Sequence, residues 1–234
     1  SLGSADSYLN WDYPDDRKRI LNLNLPSTPL WIFDEIHKYK QWRNLIKGIY
    51  DKHRKSHRIL ITGSARLDLL RRGGDSLQGR YHFIRLYPLS LEELGSDSQS
   101  DLMDLLEKSG FPEPFLGASK LKAQRWSNEY RQRILRDDID SVESISDLGS
   151  AEHLLINLPS KVGSPLSINS LREDIGVSHK AVSRWLKIFE NFYAIFRISP
   201  FHSSKLRALK KEQKHYHFDW TVIEDMSFRF ENLV

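Results

Sequence analysis

Four side chains in three short stretches have the types and spacing for phosphate chemistry. Asp34 and Glu35 close the run Leu30-Trp31-Ile32-Phe33-Asp34-Glu35, four apolar residues followed by two carboxylates. An Asp at the end of a strand can hold Mg²⁺ through its water shell, and a neighbouring Glu can orient and deprotonate an attacking water. Ser64 follows Ile61-Thr62-Gly63 and offers a small hydroxyl that can sense a γ-phosphate or position the water. The same hydroxyl also suits the N-cap of a helix beginning at Ala65, and the two roles are compatible. Arg80, in Leu77-Gln78-Gly79-Arg80, is a candidate arginine finger that reaches phosphate across a subunit interface. An arginine in a turn is more often a plain surface charge.

The elements around these residues predict how they are positioned. The unbroken apolar run reads as a parallel strand covered on both faces, and such strands open at their C-terminal ends onto a ligand crevice. Asp34-Glu35 at that end is the Walker B pattern, although a strand ending in a solvated acidic turn has the same letters. Trp42, Leu45, Ile46, Ile49 and Tyr50 follow at helical spacing, with Lys40, Arg43, Lys47, Asp51 and Lys52 on the other face. Arg58 to Thr62 is a second strand. Strand, helix, strand over about thirty residues is a βαβ unit with parallel strands. Ser64 then reaches the same sheet edge as Asp34 and Glu35.

Upstream, Ser7 to Trp11 reads as a short strand and Arg17 to Leu21 as a helical turn. Downstream, a helix from Ala65 should stop at Gly73-Gly74, and His82 to Tyr87 reads as a strand. Ser90 and Glu93 form a capping box. Residues 96–148 are helical in pattern, broken at Gly110 to Pro114. Three helices follow, at Ala151 to Leu158, Ser167 to Ile175 and His179 to Asn191, with a Gly176-Val177-Ser178 turn between the last two. A strand over Tyr193 to Ile198 completes a winged helix-turn-helix. The outward face of its third helix offers His179, Lys180, Ser183, Arg184 and Lys187, which suit a major groove and its phosphates. A structural joint between domains is the alternative reading.

Composition narrows the classes. The 234 residues carry a formal charge of +4, 39% hydrophobic and 28% charged residues. The charge permits nucleic acid as a partner without requiring it. There is no cysteine, which excludes disulfides, zinc–thiolate sites and cysteine nucleophiles. No apolar run is long enough for a membrane span. A cytoplasmic location is the simplest expectation. Ser1 to Ser4 resembles an expression scar, and Phe230 to Val234 reads as a helix in mid-course.

Three other motifs carry less. Asp34-Glu35-Ile36-His37 spells the D-E-x-H box of superfamily 2 helicases, but Gln78-Gly79-Arg80 follows too closely to lie in a second helicase domain. Gly74-Asp75-Ser76-Leu77 matches an esterase nucleophile block whose partner would lie on the wrong side. His215-x-His217 faces one way on a strand, with no third metal ligand nearby.

The order of these motifs, with Pro88-Leu89-Ser90, Gly110-Phe111-Pro112-Glu113 and Arg136-Asp137-Asp138-Ile139, resembles an AAA-type ATPase family of bacteria and archaea. Its members are P-loop ATP-binding proteins with a winged helix and a restriction-endonuclease-like C-terminal domain of unknown function. The resemblance implies an α/β fold: a partial P-loop NTPase parallel sheet over residues 1–95, a helical lid-like region over 96–148, a winged helix over 149–200, and the start of a further domain over 201–234. It implies ATP and Mg²⁺ as cofactors, Asp34 as Mg²⁺-associated, Glu35 as base, Ser64 as sensor and Arg80 as finger. It implies hydrolysis coupled to a conformational switch, and at least transient self-association. No G-x-x-x-x-G-K-[ST] occurs in the chain. The phosphate loop is expected upstream of Tyr8, so the expectation is a middle fragment that binds nucleotide weakly or not at all. A winged-helix nucleic-acid-binding module on a degenerate ATPase scaffold is the second expectation.

Overall fold

The computed structural model describes residues 5–63, 77, 79–95, 98–117, 119–139, 147–201 and 212–234. The fold is mixed α/β and divides into two compact units, one ending at Ile84 and one beginning at Arg85.

The first unit is built on a three-stranded parallel sheet. β1 (Tyr8–Asn10), β2 (Leu30–Asp34) and β3 (Arg58–Ile61) lie in the order β1-β2-β3, so the acidic strand is central. The register pairs Asn10 with Asp34, and Phe33 with Ile61. α1 (Pro14–Leu21) connects the first two strands and α2 (Trp42–His53) the last two. Pro14 suits the first turn of α1, where its missing N–H has no helical partner to lose. Asp16 of α1 accepts from the Asn10 N–H at 3.0 Å, and Arg17 donates to the Trp11 carbonyl at 3.0 Å, fixing the helix to β1.

Both helices contribute to one core. Ile20 of α1 and Trp42, Ile46 and Ile49 of α2 pack with Leu9, Trp31 and Phe33 of the sheet. β2 therefore departs from the expected two-sided burial. Trp31 and Phe33 are buried, while Leu30, Ile32 and Asp34 are only half-buried. On that second face Tyr8 is 40% and Leu60 36% exposed. The apolar run is continuous, yet among the described residues only one side meets helices.

The second unit is mainly helical. α3 (Leu91–Leu94) starts at the predicted capping box, with the Glu93 N–H donating to the Ser90 hydroxyl and the Ser90 N–H to the Glu93 carboxylate. α4 (Gln99–Lys108), α5 (Pro112–Leu116) and α6 (Lys120–Arg133) follow. Pro112, expected within a break, instead opens α5 at its first position. His82–Tyr87, expected as a strand, forms none. Strand-like composition alone does not make a strand, because β-propensity depends on the tertiary context of the segment.

Next come α7 (Leu148–Asn157), α8 (Ile168–Ile175) and α9 (His179–Asn191), each opened by a side-chain cap, from Asp147, Ser167 and Ser178. Gly176 ends α8 in the left-handed conformation that glycine adopts most readily. β4 (Ile195–Ile198) and β5 (Lys214–His217) pair antiparallel, and Pro165 bridges to Lys214. α10 (Met226–Leu233) closes the unit: Asn232 brackets His217, accepting from its N–H and donating to its carbonyl, both at 2.7 Å.

Candidate functional site

The candidate site lies at the C-terminal edge of the parallel sheet. Parallel register brings Asn10, Asp34 and Thr62 side by side at the ends of the three strands. Thr62 continues β3, its N–H donating to the Phe33 carbonyl at 3.0 Å and its carbonyl accepting from the Glu35 N–H at 3.2 Å. The Asp34 carboxylate is held from both sides. Thr62 donates its hydroxyl to Oδ1; Tyr8 donates its hydroxyl to Oδ2, and Asn10 Nδ2 lies 3.4 Å from that oxygen. Burial first, and then the bond to Asp34, push the Tyr8 hydroxyl up to about 12, so it remains a donor at neutral pH.

Glu35 turns away from the strand. Its backbone is left-handed, with φ of 55°, and leads into a short turn over Ile36–Lys38. Its carboxylate pairs with Lys38 Nζ at 3.1 Å, and the same ammonium reaches Asp12 at 2.7 Å. Burial works against the Lys38 charge, but the carboxylates of Asp12 and Glu35 outweigh it and hold the ammonium above its usual range. His37 lies beside it, 4% exposed, with Nε2 3.9 Å from the Glu35 carboxylate and, among the described residues, no hydrogen bond to either ring nitrogen. Burial, helped by the Lys38 charge, lowers it to about 4, so the ring is neutral. It packs against Gly63, where a Cβ would fall 2.4 Å from His37 Nδ1. A glycine is required there because the ring already fills the space.

The other sequence-predicted residues stand as follows. Ser64 lies outside the described residues. Arg80 pairs with Asp51 at 3.1 Å, in the last turn of α2. That helix starts beyond the Glu35 turn and runs about 15 Å away from it, so Arg80 is not brought to Asp34 and Glu35 of its own chain. In the second unit, His179, Lys180, Arg184 and Lys187 are exposed along α9 and Ser183 is half-buried, while Val182, Trp185, Leu186 and Phe189 face inward. His215 and His217 are buried, their rings 5.6 Å apart, and His215 Nε2 contacts the Leu158 carbonyl at 2.9 Å. Among the described residues no group of three or more His, Cys, Asp or Glu is placed to hold a metal ion.

Sequence reasoning did not assign Tyr8, Asn10, Asp12, His37 or Lys38 to the site. Asn10 and Tyr8 join it only through the β1–β2 register. Lys38 was the detectable one, since a cation three residues after a carboxylate shares its face in a helical turn.

The side chains of Asp34 and Thr62 themselves offer oxygen, the ligand type that hard cations such as Mg²⁺ take. Residues 4–95 match the model of an AAA domain. Residues 99–228, more than half of the chain, match the model of a domain of unknown function, DUF8612. The chain belongs to the DUF8612 family. An uncharacterized protein of Haemophilus influenzae is 26% identical over 221 residues, covering 87% of this DUF8612 chain and 54% of the relative. Uncharacterized proteins of Mycobacterium bovis and Mycobacterium tuberculosis are each 22% identical over 183 residues, covering 78% of this chain and 41% of theirs. The chain thus spans about half the length of the curated relatives it matches. No solved structure matches it. The AAA match supports an ATPase-like scaffold in the first unit. No helix among the described residues is long and apolar enough to cross a membrane.

Proposed function

We propose that this chain carries the carboxylate side of an ATP-hydrolysing site, and that the full-length protein couples hydrolysis to a conformational switch. The observation that carries this reading is the placement of Asp34 and Glu35 at the C-terminal edge of the central parallel strand, with Thr62 bonded to Asp34 from the next strand.

In this reading Asp34 and Thr62 hold Mg²⁺ through its water shell, and the ion, when bound, neutralises charge on the phosphates. Tyr8 and Asn10 fix the Asp34 carboxylate so that it need not reorganise. Glu35 accepts a proton from the attacking water, which requires an oxygen free to face that water. Ser64 reports the γ-phosphate. Arg80, tied to Asp51 away from its own carboxylates, acts on the nucleotide of a neighbouring copy, which needs at least transient self-association. α7, α8, α9 and the β4–β5 hairpin form a winged helix that receives the nucleotide state. The test is Mg²⁺-dependent ATP turnover by the full-length protein: loss on Glu35→Gln supports the reading, and unchanged turnover rejects it.

A second reading is favoured by α9. Lys180, Arg184 and Lys187 are exposed on one face, and Glu190 beside them is neutralised by two 2.8 Å bonds from Arg197. This face suits duplex DNA, with the first unit acting as a scaffold.

A further inference from the structure

We propose that Lys38 restrains Glu35, and that Asp12 is the acceptor onto which Lys38 withdraws when Glu35 is released. The inference rests on the ATPase reading and names a residue that regulates its base. Three observations carry it. The Glu35 carboxylate, the group that must face water, is engaged by Lys38 at 3.1 Å within its own turn. The same ammonium makes a shorter contact, 2.7 Å, to Asp12 in the turn after β1. All three groups are partly shielded: the side chains of Lys38, Glu35 and Asp12 are 21%, 18% and 46% exposed.

The physical consequence follows from the geometry. A carboxylate oxygen facing an ammonium is a weaker proton acceptor than one facing water. Leaving a half-buried ammonium without a counter-charge is costly, so a lysine with one carboxylate partner holds it firmly. Lys38 has two. When Glu35 swings toward a bound nucleotide, Lys38 stays neutralised by Asp12, and the release costs little. His37 cannot take over the pairing, because burial keeps its ring neutral. Asp12 therefore favours release and Lys38 opposes it, although the two are bonded to each other.

This arrangement makes opposite predictions for two bonded partners. In the full-length protein, Lys38→Met raises basal kcat about two- to fivefold, the scale of one partly shielded ion pair, with the KM for ATP unchanged. Asp12→Asn lowers kcat, because Lys38 is left with Glu35 alone. A readout without nucleotide accompanies these: acetylation of this chain followed by mass spectrometry. Lys38 should react more slowly than the exposed Lys18, stay protected in Asp12→Asn, and lose protection in Asp12→Asn with Glu35→Gln. Movement of kcat in the same direction in both variants, or labelling of Lys38 as fast as Lys18, overturns the restraint. If Lys38→Met unfolds, as circular dichroism would show, Lys38→Gln serves for the same comparison. Loss of turnover in Glu35→Gln without a rise in Lys38→Met rejects the restraint alone; unchanged turnover in Glu35→Gln rejects the ATPase reading itself.

Discussion

Thr62 donates its side-chain hydroxyl to Asp34 across the ladder between β2 and β3. This bond ties the acidic residue of the central strand to the end of the next strand, next to Gly63. Thr62→Val keeps the shape and removes the donor. The expected cost is about 1 kcal/mol in the stability of the first unit, with weaker Mg²⁺-dependent nucleotide binding in the full-length protein. Thr62→Ser should restore both. Urea unfolding and nucleotide titration read the two effects.

Gly63 and His37 are in contact, and an added methyl group would fall 2.4 Å from the ring. His37 is buried, so its ring must give way inside a packed core. Gly63→Ala should destabilise the first unit by about 1–3 kcal/mol. Gly63→Ala with His37→Ala should recover part of that loss relative to the sum of the single changes, as a double-mutant cycle in urea would show.

His37 also sets a pH dependence. It is lowered from 6.5 to about 4 in the folded chain. Between those values the unfolded chain binds more protons, so stability falls as pH drops from about 6.5 to about 4 and then levels off. A shift of this size corresponds to roughly 3 kcal/mol. Unfolding free energies of wild type and His37→Gln, compared at pH 7 and pH 4.5, isolate this residue: the gap between the two proteins should change in favour of the variant at the lower pH. His215 and His217, also lowered by burial, add a slope of the same sign from the second unit.

Asn232 joins α10 to β5 by bonding both backbone groups of buried His217. Asn232→Ala leaves a buried N–H and a buried carbonyl without that partner. The loss should be about 2 kcal/mol or more. Asn232→Asp keeps the acceptor but sets a carboxylate oxygen against the carbonyl, so it should not rescue. Thermal unfolding of both variants tests this.

The parallel sheet and its acidic edge were legible because periodicity reports them directly. The strands at Leu30–Asp34 and Arg58–Ile61, the helix between them, the Ser90 cap and α9 fall where their patterns place them. The partners of Asp34 were not legible. Tyr8 and Asn10 lie more than twenty residues away, and only strand register makes them neighbours. Burial on both faces was over-read at β2, since a continuous apolar run shows what a strand tolerates and not what covers it. His82–Tyr87 has strand composition without a ladder, and Pro112 was read as a stop where it begins α5. At β2 the deciding partner is distant in sequence, whereas Pro112 turns on local geometry, since proline is tolerated at the first helical position.

If α9 binds duplex DNA, affinity should fall steeply with salt. Replacing Lys180, Arg184 and Lys187 together by alanine should lower the log–log salt slope by about three and weaken binding to all sequences alike. A salt-independent affinity, or one the triple variant leaves unchanged, rejects the second reading. Fluorescence anisotropy across a salt series is sufficient.

The most direct measurement of the central claim is ATP affinity and turnover in the full-length protein, compared across wild type, Asp34→Asn and Glu35→Gln in the presence and absence of Mg²⁺. The account predicts that Glu35→Gln keeps Mg²⁺-dependent ATP binding while turnover falls about a hundredfold or more, the scale of losing a general base, and that Asp34→Asn loses the Mg²⁺ dependence of binding. Wild-type turnover in Glu35→Gln, or Mg²⁺-dependent binding undisturbed in Asp34→Asn, would contradict it.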